Sequence, residues 1–248
     1  MRLPSNTVFI SAKILLFYLL FYAVLIGFFS AMLAVFYQTL DMKKPKWQLS
    51  KSLIGDNPGL GFRPMPPESN VESTLIWYKS SDKGNVHYWK NELTEFVKSY
   101  DKENNPHEKN VEECTNYQPP SEGKVCNVKM TKNIWHPCLA ESSFGFEDEK
   151  GGPCIFLKLN KIYNWNPEYY NSTSLPQDPN AMSEYLRKDI VDAESRGEDG
   201  YMSPLIAVHF EAPRRGILIN IECKAWARNI IHDRVDRRGS VHFELMVD

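Results

Sequence analysis

Residues Ile14–Leu40 read ILLFYLLFYAVLIGFFSAMLAVFYQTL, 27 consecutive positions without a charged side chain. At about 1.5 Å per residue this exceeds the roughly 20 residues that cross a bilayer as a helix. A cleaved signal peptide would have an apolar core of about 7 to 15 residues ending in a small-x-small site. The stretch fits neither condition. A buried core helix would carry a polar face somewhere along seven turns, and none is present. The stretch therefore predicts one membrane span.

Outward from the span, the chain divides sharply. All 31 acidic residues lie beyond Leu40, as do all but two of the 29 basic ones, Arg2 and Lys13 being the exceptions, and all five cysteines. A net charge of −2 over 248 residues argues against a polybasic nucleic-acid binder, and one apolar run argues against a multi-pass membrane protein. The expected organisation is a cytosolic tail over 1–13, a signal-anchor transmembrane helix over 14–40, a stalk over 41–70 and a folded extracellular domain over 71–248. Lys43, Lys44, Lys46 and Lys51 on the far side of the span would by themselves hold that domain in the cytosol. The cysteines and the sequon Asn171-Ser172-Thr173 argue for an oxidising lumen instead, with Asn171 as the glycosylation acceptor.

Within the span, Phe17 and Phe21 are four residues apart, as are Tyr18 and Tyr22, which stacks aromatic rings on one flank of a helix. Ala23, Gly27 and Ala31 repeat at the same step and would let a second helix approach closely. Tyr22 lies deeper than an interfacial aromatic belt, so its hydroxyl calls for a protein partner.

Gly55–Pro67 (GDNPGLGFRPMPP) is too rich in Pro and Gly for a regular element and reads as part of the stalk. Trp89, Leu93, Phe96, Val97 and Tyr100 then form the stripe of one amphipathic helix packed on the domain's own core. Downstream the period changes to two. Cys154–Leu159, Leu205–Glu211, the row Ile217-Ile219-Ile221-Cys223-Ala225 and the row Val241-Phe243-Leu245-Val247 read as strands. Strands with one helix suggest a mainly-β ectodomain, an immunoglobulin-like antiparallel β-sandwich. Asn166–Tyr201 shows no period and reads as a long loop.

The cysteines are Cys114, Cys126, Cys138, Cys154 and Cys223, at intervals of 12, 12, 16 and 69 residues. Five cysteines admit several pairings. Local pairing of Cys114 with Cys126 and of Cys138 with Cys154 would close two loops worth about 3 kcal/mol each on the chain-entropy account. It would leave Cys223 free, on a strand row that faces the core. No Cys-x-x-Cys occurs, so zinc is disfavoured. Neither a catalytic motif nor a phosphate-cradling glycine loop is present, and Glu147-Asp148-Glu149, the nearest approach to the metal-binding Asp-x-Asp of glycosyltransferases, reads as a solvated loop. No catalytic residue, metal or cofactor is expected.

The stretch Lys13–Tyr22 (KILLFYLLFY) resembles the FYxxFY span of the β subunit of the sodium/potassium-transporting ATPase. The resemblance continues through Pro58–Pro64 (PGLGFRP), Lys124-Val125-Cys126, Gly152–Asn160 (GPCIFLKLN) and Ile221–Trp226 (IECKAW), in family order. The Gly-Phe-Arg-Pro and Ala-Trp-Ala-Arg-Asn forms look like its invertebrate branch. The resemblance implies a non-catalytic, single-pass type II plasma-membrane glycoprotein. Such a subunit partners the catalytic α subunit of a P-type ATPase, helps it fold and reach the membrane, and tunes potassium occlusion. It also implies that Tyr18, Phe21 and Tyr22 face α, and that Cys114–Cys126 and Cys138–Cys154 are the family's first two disulfides. Family ectodomains carry a third disulfide, from the position of Cys223 to an upstream segment with a YYPYYG-like run. Asn171–Gly200 contains neither that cysteine nor that run, so a segment is missing here. A pump-independent adhesion or junctional glycoprotein is the alternative that the same ectodomain would serve.

Overall fold

The computed structural model describes residues 5–42, 44–67, 69, 73–100, 108–114, 121, 123–128, 130–148, 152–168, 170, 201–203, 205–233, 235–236 and 238–248. They fall in two compact units, Met1–Trp47 and Gln48–Asp248.

The first unit is helix α1, Ser5–Gln38. It begins and ends earlier than the expected 14–40, because nothing in Ser5–Lys13 breaks a helix once Pro4 is passed. Its 34 residues span roughly 50 Å at about 1.5 Å each, more than the ~30 Å hydrocarbon layer needs. Phe9–Gln38 is long and apolar enough to cross a membrane, and none of it is buried within the chain. Beyond Gln38 the chain turns back on itself: Thr39 donates its hydroxyl to the Phe36 carbonyl at 2.7 Å, and Lys46 Nζ donates to Thr39 Oγ1 at 2.9 Å. The Trp47 ring stacks on Phe36 at 6.5 Å between centroids, with Lys46 above it. A cluster of Trp47, Phe36 and Lys46 of this kind suits the interface between lipid and water.

The second unit is mainly β. One sheet has the order β1-β5-β6, from Leu60–Arg63, Cys154–Leu159 and Leu205–His209, all antiparallel. The other has the order β2-β8-β7, from Leu75–Tyr78, Ser240–Val247 and Leu218–Lys224. Here β7 runs antiparallel to β8, while β2 runs parallel to it. A further parallel pair joins β3 (Val111–Glu112) to β4 (Val125–Cys126). The purely antiparallel sandwich expected from the sequence is thus corrected at two pairings. Parallel neighbours need a long crossover, and the β2–β8 pair has nearly the whole domain between its strands.

A second correction concerns the Pro- and Gly-rich segment before residue 70. Leu60–Arg63 within it is strand β1, paired with Leu159–Phe156, and Pro58 and Pro64 are fully buried. Proline is tolerated because β1 is an edge strand and Pro58 and Pro64 flank it rather than interrupt it. The segment therefore belongs to the folded domain.

The sheets pack face to face through Phe62 of β1 and Phe243 of β8, stacked at 5.0 Å. Along β8, Val241, Phe243, Leu245 and Val247 are buried while His242, Glu244 and Met246 are half-exposed, the period-two pattern that the sequence predicts. The outer face of the first sheet is covered at Phe156, whose ring meets Phe96, Trp135 and Phe144. Phe96 belongs to α2, Lys83–Lys98, and Trp135 to the single turn α3, Lys132–Trp135. Asp82 caps α2 by accepting from the Gly84 and Asn85 amides at 2.9 and 3.2 Å. Its stripe is anchored by Trp89, which donates its indole N–H to the Trp77 carbonyl at 3.0 Å, and by buried Val86 and Leu93. Gly145 ends the 3-10 turn after α3 at φ +74°, and a Cβ there would overlap the Gly152 carbonyl oxygen, so only glycine fits.

Candidate functional site

On α1 the aromatic residues form a ladder. The Phe17 and Phe21 rings lie 6.3 Å apart and nearly parallel, as do Tyr18 and Tyr22. Edge contacts of 5.5 Å between Phe17 and Tyr18 and 5.4 Å between Phe21 and Tyr22 join the two columns. The arrangement follows from the four-residue spacing on a 3.6-residue helix. Tyr18, Phe21 and Tyr22 remain 51, 50 and 54% exposed. A groove lined by Ser11, Ile14, Leu15, Tyr18, Leu19 and Tyr22 runs beside the tyrosines. Above the ladder, a Cβ built on Gly27 would meet nothing within 4 Å, so the Ala23-Gly27-Ala31 row is open to a neighbouring helix. The surface offers ring faces, two phenolic hydroxyls and shallow small-residue steps: a packing surface, with no group poised for proton transfer or nucleophilic attack.

In the second unit, Cys114 is bonded to Cys126 and Cys138 to Cys154. Cys154 is fully buried at the start of β5, the central strand of its sheet. Cys126 ends β4, where Glu112 of β3 lies opposite it. Glu112 accepts from the Ser121 amide and hydroxyl and faces Lys124. The Ser121 amide above all, then its hydroxyl and Lys124, holds the Glu112 carboxyl below the usual range. Cys223 is unpaired. It faces inward, as its strand parity predicts, yet it is only half-buried, because among the described residues β7 is the outermost strand of its sheet. Burial, and then the adjacent Glu222 carboxylate, pushes its thiol pKa up. Asn171 lies outside the described residues.

Among the described residues, no cluster of His, Cys, Asp or Glu could hold a metal ion. Glu147, at the head of the acidic run, is occupied structurally: it accepts from Lys90 Nζ at 2.6 Å and Ser143 Oγ at 2.7 Å, tying the loop to α2. Those two bonds, Lys90's first, hold its carboxyl below the usual range. Spacing alone could not have assigned Glu147 to this bond, since its partner lies on another element.

Comparison with known proteins finds a family match over most of the chain. The Sodium / potassium ATPase beta chain family matches residues 7–195 and 192–243. The sodium/potassium-transporting ATPase subunit beta-2 of Drosophila melanogaster is 44% identical over 279 positions, covering 96% of this chain and 85% of the relative. The beta-1 subunit of the same species is 31% identical, covering 96% and 86%. The potassium-transporting ATPase subunit beta of Mus musculus is 25% identical, covering 99% and 89%. The beta-2 alignment is longer than the 248 residues of this chain, so that relative has residues with no counterpart here. The family match breaks and resumes at 192–195. The chain belongs to the sodium/potassium ATPase beta chain family, whose members are membrane-bound, non-catalytic accessory subunits.

Proposed function

We propose that this chain anchors to the catalytic α subunit of a sodium/potassium-transporting P-type ATPase through α1, with Tyr18, Phe21 and Tyr22 packed on the transmembrane helices of α. Residues 1–13 form the cytosolic tail, and the disulfide-bonded, immunoglobulin-like domain lies outside the plasma membrane with a glycan on Asn171. In this role the chain assists the folding and membrane delivery of α and tunes potassium occlusion. The observation that carries the reading is the aromatic ladder. Four stacked rings on a span that is exposed among the described residues need a helical partner in lipid, where packing and interhelical hydrogen bonds drive association. The two relatives from Drosophila melanogaster, both named as subunits of a sodium/potassium-transporting ATPase, support that choice of partner.

Affinity capture of the full chain after extraction in a mild detergent tests it. Mass spectrometry of the captured material is expected to find a P-type ATPase catalytic subunit in stoichiometric amount. Recovery of the chain alone, or with extracellular proteins only, overturns the reading.

A further inference from the structure

The described residues leave the flank formed by β6 and β7 open. Among the described residues, β7 has β8 as its sole neighbour and β6 has β5. On β8 the inward side chains are shut away, with Phe243 and Leu245 at 1 and 0% exposure, whereas their β7 partners Ile221 and Ile219 are only half-buried. Across the interior, β6 registers through Leu157 onto Phe62, so Ile206 and Val208 share the inward face, and they too are half-buried. The family match breaks at 192–195, just before β6, and relatives carry residues that this chain lacks.

The hydrogen-bonding sense of β7 is fixed. The Ala225 amide donates to the Gly239 carbonyl at 2.9 Å, and the register pairs Cys223 with Val241. Odd-numbered residues of β7 therefore bond to β8, and the N–H and C=O groups of Asn220, Glu222 and Lys224 point to the open side. A second strand can add there only where its own outward-pointing residues face these. For a second copy of β7 running antiparallel, this leaves a handful of registers. Centred on Glu222 the pairing sets Glu222 against its own copy, and centred on Lys224 it sets lysine against lysine, both unfavourable. Centred on Cys223, it sets Glu222 against Lys224 of the second copy, and this contact occurs twice by symmetry. Both side chains are exposed, and neither forms an ion pair among the described residues.

We propose that β7 pairs with β7 of a second copy of this chain, antiparallel and centred on Cys223, so that the β2-β8-β7 sheets of two chains become one. Self-complementary charge favours this occupant over an unrelated strand, since an isologous contact must satisfy itself. In this register the two Cys223 residues form a non-hydrogen-bonded pair with Cα atoms about 4.5 Å apart, inside the ~4.4–6.8 Å range that a disulfide can bridge. The proposal is independent of association with an ATPase catalytic subunit, because it uses no residue of α1.

The test is oxidative cross-linking of the full-length chain in native membranes with diamide. Diamide takes up the two thiol hydrogens, its N=N bond becoming a hydrazine, as one S–S bond forms. A species of twice the mass is expected on non-reducing gels, reversed by dithiothreitol, carrying a Cys223–Cys223 peptide, and absent in Cys223→Ser. Glu222→Lys should lower its yield several-fold, and the double exchange Glu222→Lys with Lys224→Glu should restore it. No dimer, a dimer that persists in Cys223→Ser, or a yield unmoved by Glu222→Lys overturns the proposal.

Discussion

Phe62 and Phe243 stack at 5.0 Å across the interior of the domain, one from the strand nearest the membrane span in sequence and the other from the final strand. Neither ring is more than 8% exposed. Their contact joins the two sheets, so its loss should be felt by the whole domain. Phe243→Ala is expected to cost about 3–5 kcal/mol, the usual range for emptying a buried phenylalanine site. Thermal unfolding of the purified full chain, followed by tryptophan fluorescence, measures it. A loss below about 1 kcal/mol would mean that the sheets are held elsewhere.

The ladder on α1 makes a prediction about assembly rather than folding. Replacing Tyr18, Phe21 and Tyr22 together by Leu keeps the span apolar, so insertion should be unchanged. Recovery of the α subunit should weaken by about 1–3 kcal/mol, the scale of a few packing contacts and hydrogen bonds between helices. Equal recovery of α with the triple variant would remove this face from the interface.

Glu112 predicts a pH dependence. Its carboxyl pKa is depressed in the folded chain, chiefly by the Ser121 amide. A depressed carboxylate contributes stability that is present above its unfolded pKa, about 4.3, and is lost as pH falls through the lower folded value. Melting temperature followed from pH 7 down to about pH 3 should therefore drop less steeply at the acid end for Glu112→Gln than for the native chain. Parallel curves for the two proteins would show that the β3–β4 pair does not report on the carboxylate.

The orientation of the span is read through Asn171. Deglycosylation should raise the gel mobility of the native chain and leave Asn171→Gln unmoved, and protease added to sealed microsomes should spare the large domain. Digestion of that domain would reverse the orientation.

How far the sequence reveals this structure depends on whether a feature is local. α1 is legible because a charge-free run needs no partner to be interpreted, and the ladder follows from spacing alone. Strands β5 to β8 and the α2 stripe are legible because burial stamps a period on the chain. Strand β1 is hidden by its composition: Gly61 and the flanking prolines read as a linker, although Leu60 and Phe62 keep the alternation of an edge strand. The parallel pairing of β2 with β8 is beyond reach, since it joins residues as distant as Thr74 and Glu244, hydrogen-bonded at 2.6 Å over a separation of 170. For Cys223, parity gives its direction but not its depth, which is set by the position of β7 at the end of its sheet among the described residues.

Strand β8 is last in order along the chain and yet lies in the middle of its sheet, between β2 and β7. During synthesis β2 and β7 therefore emerge before the strand they share, and their pairing waits for Ser240–Val247. The sheet can close only once β8 has been made. A premature stop before Ser240 would remove the centre of the sheet rather than trim its edge, leaving β2 and β7 without the strand that joins them.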